Sequence, residues 1–202
     1  MAAAEPGRVA GVVLAAGASR RMGRNKLLLE LDGQSLVRRA TGNAVRAGLS
    51  PVVVVVGFES ERVRRELRGL GPTIVRNPDF DGPSSRSFHV GLGALPPDVE
   101  GAVVVLPDMV RVSSETLRAV KDLGTAAPPA RRPPLVVSRY GGVSAPPILF
   151  RRSLFDELLA WDGEGCGKPV VRAHASEALY VDWPPELLDD VDTPEDWKQL
   201  GG

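Results

Sequence analysis

Apolar residues in this chain come in short unbroken runs, rich in valine and bounded by turn residues. The runs alternate with stretches in which apolar and charged positions recur every three to four residues. The unbroken runs predict strands at 9–14, 52–56, 73–75, 102–106 and 135–138, with shorter ones at 148–150 and 178–181. The periodic stretches predict helices at 35–47, 59–67, 85–94, 114–123, 152–159 and 194–200. In the first of these, Leu36, Ala40, Ala44 and Ala47 share one side while Arg38, Arg39 and Arg46 lie elsewhere, as in a helix packed on a sheet. Strands with no polar alternation are covered on both faces. Their alternation with helices predicts an α/β fold of three layers around a mostly parallel sheet.

Composition narrows this picture. The 202 residues are 43% hydrophobic, enough for one full core, and neither side of the Pro-rich segment 124–134, GTAAPPARRPP, carries a complete sheet. That segment is expected as an exposed loop inside a single domain spanning 1–202, with 1–7 as a flexible tail, because its prolines forbid helix or central strand. Basic and acidic residues number 25 each, so bulk charge supplies no reason to expect nucleic acid or a membrane surface as partner. The single cysteine, Cys166, cannot form an internal disulfide, and MAAAEPGR lacks the apolar core of a signal peptide. No apolar run approaches the roughly 20 residues of a membrane span. A cytoplasmic location is expected.

The first strand runs into AAGASRRMGRNK, residues 15–26. Ligands of parallel sheets bind at the carboxyl ends of strands, where small residues let backbone amides approach a polyanion and fixed cations neutralise it. The loop fits neither the GxGxxG dinucleotide fingerprint, since Ser19 and Met22 stand where glycines are needed, nor GxxxxGK[ST], since Arg24 and Asn25 follow Gly23. A nicotinamide-dependent oxidoreductase is disfavoured on the same grounds.

LAAGASRRMGRNK resembles the L-A-A/G-G-x-S-x-R-M-G-x-x-K signature of the MobA-like nucleotidyltransferases, and each constrained position is met. The resemblance implies a Rossmann-like nucleotidyltransferase fold. It also implies a nucleotide site made by Leu14, Ala15, Ala16, Gly17 and Ser19, with Arg21 and Lys26 on the β- and γ-phosphates; Arg20 and Arg24, at variable positions, are expected to face solvent. NPDFDGPSSRSFHVGL, residues 77–92, is similar to the family's base-reading stretch, with Ser85 and Ser87 as the matching serines; Ser84 or Ser85 equally reads as a helix N-cap.

AVVVLPDMV carries a strand into Asp108, where the family writes L-G-D-M-P and its aspartate binds Mg²⁺, a cation that takes hard oxygen ligands. Here Pro107 replaces the glycine and Val110 the proline. LLDDVDTPEDWKQL, residues 187–200, resembles D-I-D-T-P-E-D, which makes Asp192 the second metal ligand. Independently, Thr193-Pro194 reads as a helix start, and Asp190 and Asp192 alternate along an extended segment. SAPPILFRRSLFDELLAWDGEGCGKPVVRAH, residues 144–174, is similar to the acceptor region, but Ala145-Pro146-Pro147 replaces Gly-His-Pro, Glu164 stands for aspartate and Lys168 for arginine. Lys168 either contacts a phosphate or is simply exposed.

The implied activity is Mg²⁺-dependent transfer of a nucleotide to a phosphorylated acceptor, with Arg21, Lys26 and Asp108 catalytic. Ala16 favours CTP over GTP, which places the chain beside members that modify molybdopterin and allows a molybdenum enzyme as the product's recipient. Two alternatives stand beside this: transfer to a sugar or alditol phosphate, and a nucleotide-binding assembly factor for molybdenum enzymes with little transferase activity.

Overall fold

A computed structural model describes residues 7–165 and 167–200; residues 1–6 of the expected tail, and Cys166, lie outside it. In chain order the elements are β1 (Val9–Ala15), β2 (Glu30–Leu31), β3 (Gln34–Ser35), α1 (Leu36–Arg46), β4 (Val52–Val56), α2 (Ser60–Glu66), β5 (Thr73–Arg76), α3 (Ser84–Gly93) and β6 (Gly101–Val105). They continue with α4 (Ser114–Thr125), β7 (Leu135–Tyr140), β8 (Val143–Arg151), α5 (Phe155–Ala160), α6 (Lys168–Ala173), β9 (Leu179–Trp183) and α7 (Pro194–Gln199).

Seven strands form one sheet in the order β5-β4-β1-β6-β8-β7-β9. All pairs are parallel except those made by β8, which runs against both β6 and β7. The expected mostly parallel α/β sheet is therefore present, with one inverted strand. Both of its faces are covered. Val9, Val13 and Ala15 of β1 join a core with Val37 and Ala44 of α1, Val63 of α2, and Leu117 and Val120 of α4. The alternate residues Ala10 and Val12 join the opposite core with Phe88 and Leu92 of α3, Leu158 of α5 and Val170 of α6. This two-sided burial is why β4 can be five consecutive valines, all buried.

Three features depart from the predicted elements. An antiparallel hairpin, β2 with β3, turns at Asp32 and Gly33, both at positive φ (52° and 73°), the conformation that an Asp-Gly pair supplies. Helix α6 begins at Lys168. Strand β8 extends well beyond 148–150, back through both prolines to Val143. It tolerates them because pairing with β6 ends at Ile148 and the register against β7 shifts between Val137 and Arg139, so the prolines sit at an irregularity that needs no ladder N–H. The buried Tyr140 hydroxyl donates instead to the Pro146 carbonyl at 2.9 Å, and burial pushes the pKa of this phenol up to about 12.

In the Pro-rich segment, Gly124 and Thr125 finish α4, Pro129–Arg131 make one 3₁₀ turn, and Arg132 and Arg151 both reach Glu100. A third cluster, Met22, Leu29, Leu36, Val110, Val191 and Trp197, fastens the loop after β1 and the chain's final segment to α1.

Candidate active site

The site is built at the carboxyl ends of β1 and β6. After Ala15 the chain enters a loop that turns twice: Ser19 takes the left-handed conformation (φ 50°, ψ 40°), Arg20–Met22 make a 3₁₀ turn, and Gly23 reverses it at φ 71°. The Met22 and Gly23 amides are used inside this turn, on Ser19 O at 3.0 Å and Arg20 O at 3.3 Å, so they are not free for an anion. Buried Met22 anchors the loop from below. A second 3₁₀ turn, Lys26–Leu28, is capped by Asn25, whose Oδ1 accepts from Leu27 N at 3.1 Å. Ser19 Oγ accepts from Lys26 N at 3.2 Å and closes the loop on itself. Gly57 lets the end of β4 press on it: a Cβ there would come 2.4 Å from Phe80 Cβ and 2.7 Å from Ala16 O, and Phe58 N donates to that oxygen at 3.0 Å.

Lys26 Nζ is held between two carboxylates, 2.6 Å from Asp108 Oδ2 and 2.7 Å from Asp192 Oδ1, while Arg21 pairs with Asp192 Oδ2 at 2.7 Å. Asp108 arrives three residues beyond β6. Asp192 arrives because Val191 N donates to Asp108 O at 3.1 Å, Met109 bridges Asp190, and Val191 is wholly buried. A capping box then fixes the start of α7: Thr193 Oγ1 accepts from Asp196 N, and Asp196 Oδ2 accepts from Thr193 N at 2.7 Å and Asp192 N at 3.0 Å. Pro107 leaves Asp108 beside Lys26, and Val110 packs into the third cluster.

Burial works against the Lys26 ammonium, but the Asp108 and Asp192 carboxylates outweigh it and raise its pKa. Burial likewise works against the Asp192 carboxylate, and Lys26 and Arg21 override it and hold its pKa low. Asp190 is pushed up by burial, then by the Asp192 and Asp108 charges.

Around this quartet lies a cavity of about 360 Å³ lined by Leu14, Ala16, Gly17, Ser19, Arg20, Arg21 and Lys26 on one side. Asp108 and Asp192 also line it, as do Phe80, Gly82, Ser84, Ser87 and Glu164. Of the sequence-predicted residues, Ala15 and Ser85 do not line it. Ala15 turns to the opposite core, as strand alternation requires. Ser85 is fully buried and holds the loop after α5: its Oγ donates to Asp162 Oδ1 at 2.8 Å and accepts from Gly163 N at 3.0 Å. Ser84 takes the lining place expected for Ser85, and Ser87 is oriented by Asn77 Nδ2 at 3.0 Å. Arg20 is largely exposed but pairs with Asp81 at 2.9 Å and contributes to the cavity wall; Arg24 is exposed. Phe80, Gly82, Ser84 and Glu164 were not foreseen as site residues.

Residues 11–178 match the family profile of the MobA-like NTP transferase domain. The chain belongs to this family. As a MobA-like nucleotidyltransferase it is 29% identical over 205 residues to the purine catabolism protein PucB of Bacillus subtilis, covering 94% of each chain. It is 24% identical to the molybdenum cofactor guanylyltransferase of Vibrio cholerae, over 98% of this chain and 93% of that one. Among solved structures it resembles Rv0371c of Mycobacterium tuberculosis with a TM-score of 0.84 at 27% identity, covering 96% and 98% of the two chains. That protein in complex with manganese superposes with a TM-score of 0.75 at 28% identity, covering 96% and 97%.

Within this family the carboxylate pair has a clear chemical fit. Asp108 Oδ1 is buried without a hydrogen-bond partner, a state that costs about 1–3 kcal/mol unless something takes the oxygen. A hard divalent cation is such a partner. Among the described residues no cluster of three or more metal-ligating side chains exists, so the protein would supply two carboxylates and substrate or water the rest, as Mg²⁺-type sites do. No helix of the described residues is long and apolar enough to cross a membrane.

A second cavity, about 350 Å³, adjoins the first through Leu106 and is lined by Met109, Ala145, Pro146, Gly165, Lys168 and Asp190, among others. Lys168 therefore faces a cavity at the start of α6.

Proposed function

We propose that this chain transfers a nucleoside monophosphate from a nucleoside triphosphate, CTP in preference, to a phosphorylated acceptor of the molybdopterin type, with Mg²⁺ and in the cytoplasm. The observation that carries the reading is the Lys26 ammonium fixed between Asp108 and Asp192, with Arg21 beside it, at the mouth of the loop after β1. Two cations and two carboxylates converge where a triphosphate meets the sheet. The second cavity, which shares Leu106 with the first and carries Lys168, offers an acceptor phosphate a place. The name of the Vibrio cholerae relative, a molybdenum cofactor guanylyltransferase, supports the reaction and the acceptor class while naming the guanine nucleotide, and the manganese bound to the mycobacterial one supports a divalent cation.

In the reaction, an acceptor phosphate oxygen forms a new bond to the α-phosphorus. The bond from that phosphorus to the bridging oxygen breaks, and its electron pair leaves on pyrophosphate. The attacking oxygen is already anionic, so no side chain need take its proton. Lys26 and Arg21 bind the β- and γ-phosphates and neutralise the charge that grows there, and the preformed loop positions them before substrate arrives. Asp108 and Asp192 would hold Mg²⁺, which supplies further positive charge against the triphosphate oxygens. Ala16, buried and lining the cavity, supports the choice of CTP, since its methyl narrows the wall relative to glycine.

Pyrophosphate release measured with each of the four triphosphates and Mg²⁺, with and without molybdopterin isolated from cells, tests the proposal. Release is expected with CTP only when acceptor is present, and is lost in Asp108→Ala. Turnover of GTP in place of CTP overturns the base assignment. Nucleotide binding without turnover of any triphosphate, unchanged in Asp108→Ala, overturns the enzyme and leaves a binding protein.

A further inference from the structure

The loop after α5 is strapped to the start of α3. Ser84 Oγ accepts from Gly165 N at 3.0 Å, Ser85 N donates to Gly163 O at 3.1 Å, and Ser85 Oγ binds both Asp162 and Gly163 N. Within this strap Glu164 alone turns a charged side chain into the nucleotide cavity. Its Oε2 accepts the Ser84 N–H at 3.2 Å, and among the described residues this carboxylate makes no other hydrogen bond and no ion pair. The cavity's cations are engaged elsewhere: Lys26 with Asp108 and Asp192, Arg21 with Asp192, Arg20 with Asp81. An unneutralised carboxylate is repelled by phosphates, so it faces a hydrogen-bond donor of the nucleotide, a base amino group or a ribose hydroxyl, and only the first makes binding depend on the base.

We infer that Glu164 selects the nucleobase, accepting a hydrogen bond from an exocyclic amino group and rejecting a carbonyl at the same position. The inference rests on the nucleotidyltransferase reading and extends it. A carboxylate has acceptors only, so it attracts the 4-amino group of cytosine and repels the 4-oxo group of uracil. Ala16 limits the size of the base; Glu164 reads its edge. The fixed Oε2–Ser84 contact orients the carboxyl group and leaves Oε1 for the ligand. Ser84 and Ser87, three residues apart on one side of α3, form the adjoining wall.

The test is equilibrium binding of CTP and UTP, each with Mg²⁺, to the full chain and to Glu164→Gln. The amide keeps the shape and the acceptor for Ser84 N–H, so a purely structural role predicts an unchanged CTP-to-UTP ratio. A base-selecting role predicts that the ratio narrows by about 10-fold, the scale of one charge-assisted hydrogen bond. A second measurement needs no variant: the triphosphate of 2-pyrimidinone riboside, which lacks the 4-amino group, binds the unaltered protein about 10-fold more weakly than CTP. In Glu164→Gln that difference shrinks. An unchanged ratio, a parallel loss for both nucleotides, or equal binding of CTP and the 2-pyrimidinone analogue overturns the inference. A preference of the unaltered protein for GTP over CTP overturns the cytidine assignment instead, and Glu164 is still judged by its CTP-to-UTP ratio.

Discussion

Gly91 is where the core and the site are mechanically joined, and Gly91→Ala tests that joint. A Cβ added there would lie 2.5 Å from Val12 Cγ1 and 3.1 Å from Val55 Cγ2. Carbon atoms pack at about 3.5–4.0 Å, so the first contact demands roughly 1 Å of movement. Val12 and Val55 are wholly buried on the central strands β1 and β4 and cannot yield. The helix α3 must lift, taking Phe88 and Leu92 partly out of the core and Ser84 and Ser87 away from the cavity. Overpacking of this kind costs about 1–3 kcal/mol, offset by about 1 kcal/mol of helix propensity on replacing glycine by alanine. The net is about 0–2 kcal/mol, and at about 2–4 °C per kcal/mol for a chain of this size the midpoint should fall by up to about 8 °C in a thermal melt. A displacement near 1 Å costs up to about 100-fold in rate, so kcat/KM for nucleotidyl transfer should fall by about 10- to 100-fold at a temperature where the variant is fully folded. Gly93→Ala is the control: nothing lies within 4 Å of its added Cβ, so the propensity gain stands alone and the midpoint rises slightly. A Gly91→Ala midpoint at or above that of the unaltered protein, or one indistinguishable from Gly93→Ala, refutes the reasoning.

Two further outcomes follow from contacts around the site. Thr193→Ala removes half of the capping box that steadies Asp192, so a midpoint lowered by about 2–4 °C, from about 1 kcal/mol of lost capping, is expected together with a several-fold drop in kcat; an unchanged melt excludes the cap as a support. His174, at the end of α6, has its pKa raised above 6.5 by hydrogen bonds to Glu157 and then Glu177. A raised folded-state pKa contributes stability that is full below about 6.5 and lost as pH rises through the folded value. Melts taken across that window should show a decline with rising pH that His174→Gln abolishes; an identical decline in the variant places the titration elsewhere.

Strands β1, β4 and β6 were readable because burial on both faces leaves an unbroken apolar run, bounded in this chain by turn residues. The hairpin of β2 and β3 was missed although its Asp32-Gly33 turn was in plain view, since two-residue strands carry no periodicity. Strand β8 was cut short because prolines normally end a strand, and the irregularity that admits them is set by β7, not by local sequence. At the site, Arg21, Lys26, Asp108 and Asp192 are brought together because the loops after β1 and β6 and the segment before α7 meet at one end of the sheet. The serines of α3 show what spacing leaves open. Ser85 and Phe88 face inward and Ser84 and Ser87 face the cavity, a choice of helix rotation made by packing on β1. Glu164 was visible only as a replacement in a motif, since its place depends on a strap closed by residues about 80 positions earlier.

The inversion of β8 has a consequence for how such a protein can change. A parallel strand delivers its end to the site; an inverted one delivers its beginning. Ser144 to Pro146, at the beginning of β8, thus come to the same end of the sheet as the loop after β1 and Asp108. The first half of the chain makes most of the nucleotide cavity and the second half most of its neighbour, with Asp192 and the strap as the seams. Substitutions at Ser144 to Pro146 and at Lys168, which line the second cavity and not the first, can then recast what is received without disturbing what is donated, so the two specificities are free to drift at different speeds.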